Sequence, residues 1–197
     1  MPDFNSYVPD WNNIPSTTVT GAVKLQETGS ASVETSSGPL MISLHDFGAR
    51  LHFGERQFGD YEMLLEEPKG SVLSIEYFES VENSGDYSLI EGGGYRLKLY
   101  HQPLSFELFK GTKLIQQSPS DSHFVRRFRL PPVARVDQGW FISMELQSGE
   151  PVYGLGEKWS GLDKRGQLVR SFNHDALGVN AEISYKNTPF ALSLIHI

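Results

Sequence analysis

Tyr95-Arg96-Leu97-Lys98-Leu99-Tyr100-His101-Gln102-Pro103-Leu104-Ser105-Phe106-Glu107-Leu108-Phe109-Lys110-Gly111-Thr112-Lys113-Leu114-Ile115-Gln116-Gln117 sets the period of the chain. Tyr95, Leu97 and Leu99 alternate with Arg96, Lys98 and Tyr100, which places the aliphatic side chains on one face of a pleated strand. Leu104, Phe106 and Leu108 repeat the pattern. Lys110-Gly111 supplies a turn before Thr112 to Gln117, so residues 104–117 read as a hairpin. Downstream, Phe124, Phe128 and Leu130 predict another strand that stops at Pro131-Pro132. Trp140, Ile142, Met144 and Leu146 give the clearest alternation of all. Helical spacing at three and four residues is not sustained, and 19 glycines with 11 prolines punctuate the sequence. Asp60 to Glu67 has room for a single helical turn. Many short strands separated by turn signals predict an all-β fold, a large antiparallel β-sandwich rather than alternating β/α units.

At 197 residues and 39% hydrophobic content, the chain is long enough to bury roughly 70% of the surface its unfolded form exposes. Residues 1–20, interrupted by Pro2, Pro9 and Pro15, read as an N-terminal arm, and residues 21–191 as one sandwich domain. Seventeen Lys and Arg against 24 Asp and Glu leave a formal charge of −7. That balance repels a phosphate backbone or an anionic membrane, so no nucleic acid and no membrane is expected as a partner. The absence of cysteine excludes a disulfide framework, a zinc ribbon and thiol chemistry. No window approaches the roughly 20 apolar residues needed to cross a bilayer. The opening residues lack a basic segment leading into an apolar run, and a cytoplasmic location is expected.

Glycines, aromatics and carboxylates concentrate in Tyr153-Gly154-Leu155-Gly156-Glu157-Lys158-Trp159, Asp163-Lys164-Arg165-Gly166-Gln167 and Phe172-Asn173-His174-Asp175. Such a mixture suits a sugar: aromatic faces cover the apolar side of a pyranose, carboxylates accept from its hydroxyls, and glycines let the backbone turn tightly. Gly154-Leu155-Gly156 is not a dinucleotide loop, because Trp159 stands where the third glycine belongs and no helical pattern follows. Glu91-Gly92-Gly93-Gly94 lacks a following Lys-Ser or Lys-Thr and reads as a turn between strands. The six histidines are scattered without close pairing, so neither a metal nor another cofactor is expected. Glu66-Glu67, beside Pro68-Lys69-Gly70, reads as a solvated loop rather than a catalytic pair. Asp175, with Asn173 two residues and Phe172 three residues before it, has two readings. Its loop converges polar groups on sugar hydroxyls, or Asn173 and Asp175 merely shape an Asx-turn.

Tyr153-Gly154-Leu155-Gly156-Glu157, Leu162-Asp163-Lys164-Arg165-Gly166, Asn173-His174-Asp175 and Tyr185-Lys186-Asn187-Thr188-Pro189-Phe190 together resemble the N-terminal region of glycoside hydrolase family 31, which includes α-glucosidases and α-xylosidases. The resemblance is sharp over about 40 residues and diffuse before them. It implies a β-sandwich of the galactose mutarotase-like type that precedes a (β/α)₈ catalytic barrel, with the Asn-x-Asp loop reaching over the barrel mouth. On that reading Asp175 accepts from sugar hydroxyls, with Asn173 and Phe172 beside it. Many relatives carry Trp immediately before the Asn, whereas Phe172 keeps an aromatic ring without the indole donor. The family's catalytic aspartates lie on the barrel, which needs about 250 residues of its own. The resemblance therefore implies no catalytic residue in this chain, no turnover by it alone, and the missing C-terminal barrel as its partner. Residues 192–197, Leu-Ser-Leu-Ile-His-Ile, are what one frame of a common sequencing adapter would encode and are expected to be a non-native tail. Two other classes stay open: a stand-alone carbohydrate-binding module, and an aldose 1-epimerase-like protein, for which His101 and His123 are the strand-borne candidates for a general acid.

Overall fold

The computed structural model describes residues 14–26, 30–45, 48–54, 80–120, 124–125, 128–136, 139–169, 171 and 186–193. The described residues form fifteen strands and no helix, and every strand pairing among them is antiparallel. The segments read above as a single turn (60–67) and as a solvated acid pair (66–67) lie outside the described residues. The chain divides into two compact units, one ending at Glu145 and the other beginning at Leu146.

In the first unit, β1 (Lys24–Leu25), β2 (Ala31–Thr35), β3 (Gly38–His45) and β4 (Gly48–Phe53) form a four-stranded meander. A five-stranded meander follows: β5 (Ser80–Asn83), β6 (Tyr87–Gly92), β7 (Tyr95–His101), β8 (Leu104–Lys110) and β9 (Lys113–Gln117). The alternation read along residues 95–108 is the alternation of burial. Tyr95, Leu97 and Leu99 on β7 and Leu104 and Phe106 on β8 are buried, and Arg96, Lys98, Tyr100, Ser105 and Glu107 lie half-exposed on the other face. The register sets Leu97 opposite Leu108 and Leu99 opposite Phe106. These side chains meet Val33, Leu40, Ile42 and Leu44 of the facing sheet in one core. Each such fully buried aliphatic contributes on the order of 1.5–3 kcal/mol. The predicted hairpin 104–117 is β8 and β9, joined through Gly111-Thr112 with a bulge between Leu108 and Phe109.

Of the N-terminal arm, residues 14–20 are described, and they stitch the layers together. The Thr17 amide donates to the Val133 carbonyl (2.8 Å) and its carbonyl accepts from Leu104 (2.7 Å). Val19 donates to His101 on one sheet (2.9 Å), and Thr20 to Glu34 on the other (2.9 Å).

Two strand readings are corrected. Phe124, Phe128 and Leu130 do not share one strand: β10 (Phe124–Val125) turns back on β11 (Phe128–Arg129). Pro131 and Pro132, read as a stop, are fully buried ahead of β12 (Val133–Val136). β12 pairs with β13 (Gly139–Ile142), which ends where the clearest alternation was read to continue. The buried residue there is Ser143, and Ile142 and Met144 are exposed. Ser143 can be buried because its hydroxyl donates to the Pro131 carbonyl (2.9 Å) and its amide to Pro132 (2.8 Å), so both of its donors are matched.

Candidate functional site

The second unit holds the glycine-rich stretch. Its short ladder pairs β14 (Val152–Gly154) with β15 (Ala191–Ser193). The ladder continues past β14, because Leu155 donates to Phe190 (2.7 Å) and Glu157 to Lys186 (2.9 Å). Thus two separate motifs, residues 153–157 and 186–190, are one another's backbone partners. The pairing explains the glycines. Gly154, Leu155 and Gly156 all have positive φ, at 101°, 65° and 84°. A Cβ on Gly154 would lie 2.5 Å from the Phe190 oxygen, and one on Gly156 2.3 Å from the Lys186 oxygen. Only glycine permits both the conformation and the approach. Leu155, without that freedom, is held in the left-handed region by the bonds on either side.

The charged residues around this ladder serve the backbone. Asp163 accepts from the amides of Val152 (3.0 Å) and Arg165 (2.9 Å). The Arg165 amide bond, then that from Val152, holds the carboxyl below its ordinary range. Lys164 is buried, and its ammonium donates to the Gly161 carbonyl (2.6 Å) and the Ser160 hydroxyl (2.9 Å). Arg165 bridges the carbonyls of Gln147 (2.8 Å) and Glu150 (2.7 Å). Glu150 is itself buried and accepts from the Gln147 amide at 2.5 Å and from the Ser193 hydroxyl. Lys158 donates to the Asn187 side chain, and Lys186 pairs with Glu157 at 3.2 Å on the surface. The sugar-binding character read from Asp163 to Gln167 therefore resolves into loop construction for these side chains. Sequence reading missed the buried role of Lys164, whose signal was weak: a lysine followed by Arg-Gly in a loop normally faces water.

The exposed aromatic side chains among the described residues of this unit are Trp159, 65% exposed, and Phe190, 60% exposed, with Leu162 and Leu168 exposed as well. Phe172, Asn173 and Asp175, the residues read as contacting sugar, lie outside the described residues, as does His123. His101, at the end of β7, is held by the fold: Nδ1 donates to the Gly85 carbonyl (3.2 Å) and Nε2 meets the buried Ser88 hydroxyl (2.9 Å). Ser88 in turn donates to Asn83, whose side chain bonds both backbone groups of Val23. Among the described residues no group of three His, Asp or Glu side chains is placed to hold a metal, and no helix is long and apolar enough to cross a membrane.

Known proteins share this arrangement. The α-xylosidase XylQ of Lactiplantibacillus pentosus is 46% identical over 68% of this chain and 20% of its own length. An α-xylosidase of Emericella nidulans is 42% identical over 28% of this chain and 7% of its own. The chain thus spans a fifth or less of the length of these curated relatives. The fold is similar to that of a family 31 dextranase from Flavobacterium johnsoniae solved with isomaltotriose (TM-score 0.61, 19% identity, 91% of this chain and 21% of that one). It is also similar to the cycloalternan-forming enzyme of Listeria monocytogenes solved with a pentasaccharide substrate (TM-score 0.62, 15% identity, 90% of this chain and 16% of that one). Residues 49–196 match the family described as the glycosyl hydrolase 31 N-terminal galactose mutarotase-like domain. With most of its length inside that match, the chain belongs to the N-terminal galactose mutarotase-like domain family of glycosyl hydrolase 31.

Proposed function

We propose that this chain is the scaffold, and one wall of the substrate pocket, of a retaining α-glycosidase that hydrolyses α-xylosides or α-glucosides. The observation that carries the reading is the mutual pairing of residues 153–157 with 186–190. That pairing ties together the residues on either side of 158–185, the segment that contains Asn173 and Asp175. In this reading the Asp175 carboxylate accepts hydrogen bonds from vicinal hydroxyls of a sugar. The identity to two α-xylosidases supports the substrate class.

In this reading the chain itself supplies no nucleophile and no acid/base. Retaining hydrolysis needs two carboxyl groups about 5–5.5 Å apart astride the glycosidic bond, one attacking the anomeric carbon and one protonating the leaving oxygen. The family resemblance puts both on the barrel, and the role of this chain is to orient the ring they act on. The test joins the chain to a family 31 (β/α)₈ barrel and offers aryl α-xyloside and aryl α-glucoside. Hydrolysis of at least one, with the α-anomer released first by NMR and no turnover by the 197 residues alone, is the expected result. Hydrolysis of neither by folded protein would sink the reading.

A further inference from the structure

Strand alternation sends Leu99, Leu104 and Phe106 into the core, and so sends Tyr100, Ser105 and Glu107 to the outer face of the five-stranded sheet. There a hollow of about 360 Å³ opens, lined chiefly by Tyr100, Gln102, Ser105, Glu107, Gln117 and Glu145. Its volume lies within the roughly 300–1,000 Å³ of small-molecule clefts. The walls are built rather than incidental. Glu145 donates its amide to the Gln117 carbonyl (2.9 Å), its carbonyl accepts from the Gln116 side chain (2.8 Å), and its carboxylate accepts from the Gln117 side chain. Ser118 closes the floor by bonding both backbone groups of Phe106 (2.9 and 3.3 Å). Lys98 and Tyr87 lie beside the Tyr100 ring, the ammonium 4.6 Å from its centroid and the Tyr87 ring edge-on at 6.3 Å.

The lining decides the ligand class. Among the described residues no lysine or arginine lines the hollow and two carboxylates do, a lining that disfavours phosphates and carboxylates. Each carboxylate has a neighbour, the Gln117 side chain for Glu145 and Lys98 opposite Glu107 in the β7–β8 register, and keeps lone pairs for further donors. What remains is one aromatic face, two carboxamides, hydroxyls and acceptors already oriented by the sheet. That set matches a neutral ring with a stackable apolar face and a rim of hydroxyls. We propose that this hollow is a carbohydrate-binding site on the sandwich itself, taking one pyranose unit stacked on Tyr100 and hydrogen-bonded to Gln102, Gln117 and the two glutamates. The site uses none of the residues of the Asp175 loop and stands whether or not that loop touches substrate.

Saturation-transfer NMR and titration of the 197-residue chain with D-glucose, D-xylose and isomaltotriose test it. Binding of at least one probe is expected, weakened about tenfold or more by Tyr100→Ala and several-fold by Gln117→Ala. Ser105→Trp, on the outward face, fills the hollow and is expected to abolish binding without altering the circular dichroism of the sandwich. Failure of all three sugars to bind overturns the proposal. So does binding that survives both Gln117→Ala and Ser105→Trp. That outcome would place the sugar elsewhere on the chain and leave the function proposed above standing.

Discussion

A methyl group placed on Gly156 would meet the Lys186 oxygen at 2.3 Å, the Thr188 nitrogen at 2.7 Å and the Asn187 Cα at 2.8 Å, all of them backbone or directly bonded to it. No rotamer change relieves such a contact, and φ is 84° besides. Gly156→Ala is therefore expected to destabilise the protein by about 3 kcal/mol or more. Gly166, with a similar φ of 73° but nothing within 4 Å of its Cβ position, should lose only about 1 kcal/mol on the same change. Urea unfolding followed by tryptophan fluorescence checks both, and equal midpoints for the two variants would refute the close-approach account. The sequence showed that residues 153–157 turn tightly. It did not show that 186–190 press against them, because a glycine looks the same whether it serves conformation or clearance.

At the scale of elements, the loop after β14 is tied by a surface carboxylate. Asp163 accepts two amides, and its folded pKa is lowered from the ordinary 3.8 by those bonds. A group whose folded pKa is depressed stabilises the fold above its unfolded value and loses that contribution as pH falls through the folded value. The stability advantage of wild type over Asp163→Asn is thus expected to be full above about pH 5 and to shrink as the pH falls below 3.8. Urea midpoints across that range check it, and a constant difference would show that the charge on Asp163 does not matter. Strands were legible in proportion to the contrast between their faces. β7 alternates aliphatic with charged residues and was read correctly, while the run from Ile142 to Leu146 was read with its burial inverted, Trp140 alone packing on the core. A hydroxyl that finds a carbonyl, as Ser143 finds Pro131, can occupy the core as well as a leucine can, and hydropathy does not register the difference.

The whole molecule is a two-sheet sandwich and a second, smaller unit, matched to the N-terminal part of much longer glycosidases. A prediction at this scale concerns the chain joined to a family 31 barrel, as proposed above. Asp175→Ala there is expected to lower kcat/KM by about a hundredfold, which is roughly 2.7 kcal/mol of transition-state stabilisation. The urea midpoint should stay within about 0.5 kcal/mol of wild type, as for a side chain serving ligand rather than fold. Loss of stability with unchanged kcat/KM would assign Asp175 to an Asx-turn instead. The sequence by itself determined the strand period, the all-β class and the family, because alternation and short motifs are local properties that each residue declares through its own side chain. Only the tertiary structure decided that residues 153–157 lie against 186–190, that Lys164 and Ser143 are buried, and that Tyr100, Gln117 and Glu145 surround one hollow. Those outcomes depend on which distant segments meet, and a backbone hydrogen bond across thirty or more residues leaves no periodic trace in either of the segments it joins.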